Sequence, residues 1–167
     1  MMKVALVSLL LLVNFMGINA GTNFDATWTR NCRSKWSISS IASVHSNHHE
    51  DRSWSFSCRY NSKITTSCFW TGWVNSYDNE ILYQCPNGVI SGVHSKHSNY
   101  HEDRIFEYRC CRTKGHCHGC YWTSYVNTWD GYMNYHVPGN YVLVGVKSHH
   151  NNRKEDRLWR YRVCQLG

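Results

Sequence analysis

The sequence predicts an all-β protein of three internal repeats of about 52 residues, closed around a pseudo-threefold axis as in a β-trefoil or β-prism and stapled by disulfides. Three observations carry this. The tripeptide Glu-Asp-Arg recurs at Glu50-Asp51-Arg52, Glu102-Asp103-Arg104 and Glu155-Asp156-Arg157, each time followed by alternating aromatics (Trp54/Phe56, Phe106/Tyr108, Trp159/Tyr161). Apolar and polar residues alternate with period two over short stretches such as Arg104 to Arg109, punctuated by Gly, Asn and Pro, and no 3.6-residue stripe appears after residue 20. Nine cysteines lie beyond residue 20, a density that reads as a disulfide framework in an oxidising compartment.

Taken in order, the chain opens with Lys3, an apolar run from Val4 to Val13 and a small residue at Ala20. That is the pattern of a secretory signal peptide over residues 1–20, and the run is shorter than the roughly 20 residues a membrane span needs. A single domain over residues 21–167 is expected to follow, with repeats at about 21–67, 68–119 and 120–167. Asn23-Phe24-Asp25 is a clipped first copy of the block seen as Trp73-Val-Asn-Ser-Tyr-Asp78 and Tyr125-Val-Asn-Thr-Trp-Asp130. Next in each repeat comes a strand, at Ile41 to Val44, Ile90 to Val93 and Leu143 to Val146, then a Ser/His/Asn-rich loop, then Glu-Asp-Arg and its aromatics. Closure of the three units would hide strand edges.

The repeats also suggest the disulfides. Cys32 and Cys58 occupy the positions of Cys85 and Cys110, and both positions are valine in the third copy, Val137 and Val163. Joint loss is what a bonded pair predicts, so Cys32 pairs with Cys58 and Cys85 with Cys110. Symmetry then favours Cys68–Cys111 and Cys120–Cys164, although adjacency of Cys110 and Cys111 leaves a swap between two bridges open. Cys117 is left over, which points to a free thiol or to a disulfide-linked homodimer.

The order of these elements resembles the dermatopontin family, which includes invertebrate hemagglutinin/amebocyte aggregation factors. The resemblance rests on Trp73 to Asp78, Cys85-Pro-Asn-Gly88, the three Asp-Arg-x-aromatic-x-aromatic elements and the cluster Cys110-Cys111…Cys117…Cys120. It spans residues 21–167, although the third repeat lacks its internal cystine and the chain ends three residues after Cys164. It implies an extracellular protein of matrix or haemolymph that binds collagen, proteoglycan or cell-surface glycans and promotes adhesion or aggregation.

The residues point the same way. Net charge is +7, and eight of the eleven histidines fall in the loops His45 to His49, His94 to His101 and Lys147 to Lys154. A basic, Asn/Ser/His-rich surface suits sulfated or acidic polysaccharide, because Arg contacts sulfate or carboxylate in bidentate fashion and Lys adds point charge. The candidate ligand residues are Arg52, Arg104, Arg157, His45, His49, His94, Lys96, His101, Lys147, His149, Arg153 and Lys154, with the three arginines turned outward and Asp51, Asp103 and Asp156 mainly structural. Solvated hairpin tips are the plain alternative for the loops. No zinc-site spacing is present, so neither metal nor cofactor is expected. No catalytic motif appears, three equal copies are unlike one asymmetric active site, and the signal peptide argues against nucleic acid as a partner. A structural collagen or mineral-matrix protein and a cytolysin-like secreted toxin are the competing functions.

Overall fold

A computed structural model describes residues 21–167, so the signal-peptide expectation falls outside the described residues. Within them the protein is all β, without a helix, and therefore without one long and apolar enough to cross a membrane. Eleven strands form three sheets: β1 Trp28–Asn31, β2 Trp36–Ser46, β3 Asp51–Tyr60, β4 Ile64–Trp70, β5 Ile81–Gln84, β6 Gly88–Ser98, β7 Asp103–Thr113, β8 Cys117–Trp122, β9 Met133–His136, β10 Val142–Asn151 and β11 Asp156–Leu166.

Each sheet is organised on one long antiparallel hairpin, β2–β3, β6–β7 or β10–β11. The hairpins share a register irregularity at the same place, between Ile38 and Ser40, Ile90 and Gly92, and Leu143 and Gly145. Each also receives a short strand from elsewhere in the chain: β1 pairs with β6, β5 with β10, and β9 returns to pair with β2. The last third of the chain thus closes onto the first. Gly92 permits one of these approaches, since a side chain there would run into the Arg30 carbonyl, 3.0 Å from its Cβ. Strands β4 and β8 flank β7 and β11, and the third sheet, β3-β2-β9, has no such strand.

The core lies between the hairpins. Ile38, Ile90 and Leu143 come from the first strand of each, and Trp54, Phe106 and Trp159 from the second. The last three rings meet edge to face, with centroids 5.1–6.1 Å apart, a geometry that adds about 0.5–1.5 kcal/mol per pair beyond burial. The aromatics after each Glu-Asp-Arg are therefore mainly core, as alternation along an inward-facing strand requires. Their backbones are held by one repeated bond: the amides of Trp54, Phe106 and Trp159 donate to Thr22 Oγ1, Asn75 Oδ1 and Asn127 Oδ1. This gives the asparagine of the Val-Asn block a structural task.

Disulfides join Cys32 to Cys58, Cys85 to Cys110, Cys68 to Cys111 and Cys120 to Cys164. Cys117 is free and half-buried, and burial raises its thiol pKa, partly offset by Arg162.

Candidate functional site

Where each hairpin turns, at residues 47–50, 99–102 and 152–155, Glu-Asp-Arg starts the returning strand. The turns meet at one end of the molecule around a cavity of about 20 Å³ lined by all three Glu-Asp-Arg triplets and floored by Trp54, Phe106 and Trp159. Arg52, Arg104 and Arg157 do not face outward. Each is only 4% exposed and is held by an aspartate of another hairpin: Arg104 by Asp51, Arg157 by Asp103 and Arg52 by Asp156, through paired bonds of 2.6–2.7 Å. Each aspartate accepts a further bond from the amide of Asp25, Asp78 or Asp130. The expectation of exposed arginines fails because adjacent strand residues point to opposite faces only within one sheet. Here three sheets converge, and both Asp and Arg find partners across the gaps.

Six residues at this end hold the left-handed backbone conformation in two matched triplets, Glu50, Glu102 and Glu155 (φ 43–45°) and Asp25, Asp78 and Asp130 (φ 57–63°). Non-glycine residues adopt it at a cost, which the surrounding bonds must offset. Three histidines stand five residues before the glutamates: His45, His97 and His150, with side chains only 1% exposed. Their Nδ1 atoms lie 3.0–3.3 Å from the amide oxygens of Asn47, Asn99 and Asn152. Burial raises the Glu155 carboxyl above the usual range; His150 counters this, while Glu102, Asp78 and Glu50 add to it.

Of the other candidate residues, His49 and His101 are about one-third exposed and contact Asp25 and Asp78 at 2.8 and 3.1 Å, and Lys154 takes the same place against Asp130 at 3.2 Å. His45, expected at the surface, is buried, its ring filling the gap between tips with Nε2 3.2 Å from the Glu155 carbonyl. Lys96 and Arg153 are exposed, and His94, Lys147 and His149 are partly so. The cationic tip residues are therefore divided: some are committed to tip aspartates, and the rest face solvent on the flanks.

The sequence did not reveal what lies beside them. A cleft of about 440 Å³ is lined by Arg30, Asn31, Arg33, Trp36, Phe56 and Ser57 next to the Cys32–Cys58 bridge. Trp73 is exposed and packs 5.2 Å from the His94 ring, and Tyr125 is exposed beneath the Arg160 guanidinium at 5.6 Å. Trp73 and Tyr125 occupy the same position of the repeated block, which was the available signal. The charge distribution is equally uneven. Of eleven carboxylates, nine belong to the three tips and the Asp25, Asp78 and Asp130 turns around them; Glu80 lies two residues beyond Asp78, and Glu107 lies within β7. Elsewhere Arg30, Arg33, Lys35, Lys63, Lys96, Arg112 and Lys114 are exposed with little acid to oppose them.

The family model described as Dermatopontin matches residues 22–167. The chain is 43% identical over 148 residues to a hemagglutinin/amebocyte aggregation factor of Limulus polyphemus, covering 86% of each chain. It is 38% identical over 146 residues to Millepora cytotoxin-1 of Millepora dichotoma, covering 84% of this chain but 64% of that one. It is 35% identical over 130 residues to a dermatopontin of Biomphalaria glabrata, covering 77% of this chain and 87% of that one. No solved structure matches the chain.

Proposed function

The chain belongs to the dermatopontin family, and from that premise we propose that it is a secreted, non-catalytic adhesion and agglutination protein that binds sulfated or carboxylated glycans and proteoglycans. In this reading the signal peptide is removed at Ala20 and the three repeats surround a pseudo-threefold axis of the trefoil or prism kind. The observation that carries it is the segregation of charge: carboxylates are gathered at the tips, and the flanks keep exposed cations beside aromatic rings. Arginine in a cleft such as that of Arg30 and Arg33 makes forked contacts to sulfate or carboxylate, while Trp36, Trp73 and Tyr125 offer flat apolar faces to a sugar ring. His49, His94, Lys96, His101, Lys147, His149, Arg153 and Lys154 supply the repeated outer contacts. Weak sites at several places on one particle, or on a Cys117-linked dimer, bridge two cells or fibres by acting together.

The test is retention on immobilised heparin, together with agglutination of red cells. Arg30→Ala/Arg33→Ala and Lys96→Ala/Lys147→Ala should each elute at lower salt than the parent, and their combination should abolish agglutination. Unchanged elution of the combined variant would remove these flanks from the site. The relative named as a cytotoxin favours a second reading, a cytolysin-like component; lysis indifferent to competing glycan would select it. Collagen or mineral assembly without glycan dependence would select the structural-matrix reading.

A further inference from the structure

One of the three long hairpins lacks a strand that the other two possess. Strands β4 and β8 lie along the outer edges of β7 and β11 and are bonded there by Cys68–Cys111 and Cys120–Cys164. Along β3 no strand of the described residues takes that place, and Arg59 stands where the other copies have Cys111 and Cys164. Burial follows the difference. Cys110, Cys111, Val163 and Cys164 are at most 1% exposed, and Tyr108 and Tyr161 at most 4%. Their counterparts Cys58, Arg59 and Phe56 are each partly exposed.

The main chain carries a second observation. The Tyr108 and Tyr161 amides donate to Thr71 Oγ1 and Thr123 Oγ1, and their carbonyls accept from the amides of the same threonines. On β3 such bonds stop at Trp54, which Thr22 holds in the same way. Backbone groups alternate sides along an antiparallel strand, so those of Phe56, Cys58 and Tyr60 point outward with those of Trp54. Among the described residues nothing bonds them on that side. A long open edge is normally blunted by lysine, proline or a bulge. Strand β3 has neither lysine nor proline, and the extra residue of its hairpin, Ser39, lies on β2. The Arg59 guanidinium is turned to the carbonyls of Pro138 and Tyr141.

The cleft of about 440 Å³ opens against this stretch, lined by Trp36, Ile38 and Phe56 and by the exposed Arg30 and Arg33. Segments 26–49 and 52–77, which build the edge and its surroundings, contain no carboxylate. We propose that the β3 edge is a docking site for an extended acidic segment of another protein, which adds as a fourth strand to the β3-β2-β9 sheet. Strand addition takes its affinity from main-chain bonds and its specificity from pockets for alternate side chains. An apolar side chain enters between Trp36 and Phe56, and carboxylates meet Arg30 and Arg33 in forked contact. A second copy of this chain fits less well, because two such edges paired about a two-fold axis would set cationic flanks against each other with no acid between them. The inference shares Arg30 and Arg33 with the glycan reading but rests on backbone groups that reading does not use.

The test follows hydrogen exchange of single amides by NMR in the isotope-labelled protein as secreted and processed by its producing cell. The probe is a short peptide alternating Glu with Val and Phe. Without it, the Phe56, Cys58 and Tyr60 amides should exchange fast and those of Ser57 and Arg59, which face β2, slowly. The peptide should slow the first three by roughly tenfold or more and leave the other two unchanged. Methylating alternate backbone nitrogens of the peptide keeps its charge and should weaken binding by roughly tenfold or more. Arg30→Ala/Arg33→Ala should weaken it severalfold, and heparin should not reproduce the alternating protection. Slow exchange at Phe56 and Cys58 in the peptide-free protein would show an edge already covered. Protection that grows with protein concentration alone would assign the edge to a second copy. Either result, or equal binding of the methylated peptide, would overturn the proposal. Heparin retention without peptide protection would overturn it and leave the glycan reading standing; protection without retention would do the reverse.

Discussion

Arg104→Ala gives the most direct test of how the three hairpins are held together. The guanidinium is buried, makes two charge-assisted bonds of 2.6 and 2.7 Å to Asp51, and donates to the Ala26 carbonyl at 3.0 Å. Its removal leaves the Asp51 carboxylate enclosed with only the Asp25 amide as a partner. Stranding one member of a buried ion pair costs about 3–5 kcal/mol. For a domain of this size each kcal/mol lowers Tm by about 2–4 °C, so a fall of roughly 6–20 °C is expected. The assay is guanidinium unfolding of the oxidised protein followed by tryptophan fluorescence, which is well placed because Arg104 lies over the Trp28 ring at 5.6 Å. Arg104→Met combined with Asp51→Leu removes both charges and should regain part of the loss, leaving about 1–3 kcal/mol for the orphaned Asp25 amide. A loss under about 1 kcal/mol for Arg104→Ala, accompanied by earlier elution from heparin, would refute the reasoning and return this arginine to the ligand surface.

Trp54→Ala should cost about 3–5 kcal/mol by opening a cavity among the three central rings, measured by the same unfolding curves. Replacing Cys120 and Cys164 together by Ser, which opens a bridge of sequence separation 44, should cost about 2–4 kcal/mol and leave the β circular dichroism intact. Burial raises the Tyr135 phenol to about 12 and the Tyr108 and Tyr161 phenols above their ordinary value. In the unfolded chain these groups release protons near pH 10, so their contribution is intact below that pH and is lost as pH rises from 10 towards 12. Stability measured between pH 9 and 12 should fall; a flat profile would contradict the burial of these rings. Cys117, with its raised thiol pKa, should react with iodoacetamide more slowly than a free cysteine at pH 8, as followed by mass spectrometry.

Much of the fold was legible because the repeats supply their own comparison. Joint replacement of Cys32 and Cys58 by Val137 and Val163 pointed to a bonded pair, and the structure contains the corresponding bridges. Period-two alternation placed Trp54, Phe106 and Trp159 inside. What one strand cannot encode is what another sheet brings to it. Arg104 reads as an exposed cation until Asp51, from a different hairpin, is seen against it. His45, His97 and His150 read as ordinary loop histidines; their constant spacing of five residues from a glutamate gains meaning only once the three side chains are found enclosed. The Arg30–Arg33 cleft depends on how β1 and the Cys32–Cys58 bridge sit against Phe56, which no local pattern announces.

The return of β9 to β2 ties a late strand of the chain to the first of the three long hairpins. Each long hairpin takes a short strand from elsewhere in the chain, so loss of β9 would leave an edge of β2 unpaired and prone to join a second molecule. A further hairpin would have to enter the closed circuit of guanidinium–carboxylate links that already joins these three. Any such insertion would require that circuit to be rebuilt, together with the turns that hold Glu50, Glu102 and Glu155 in the left-handed conformation.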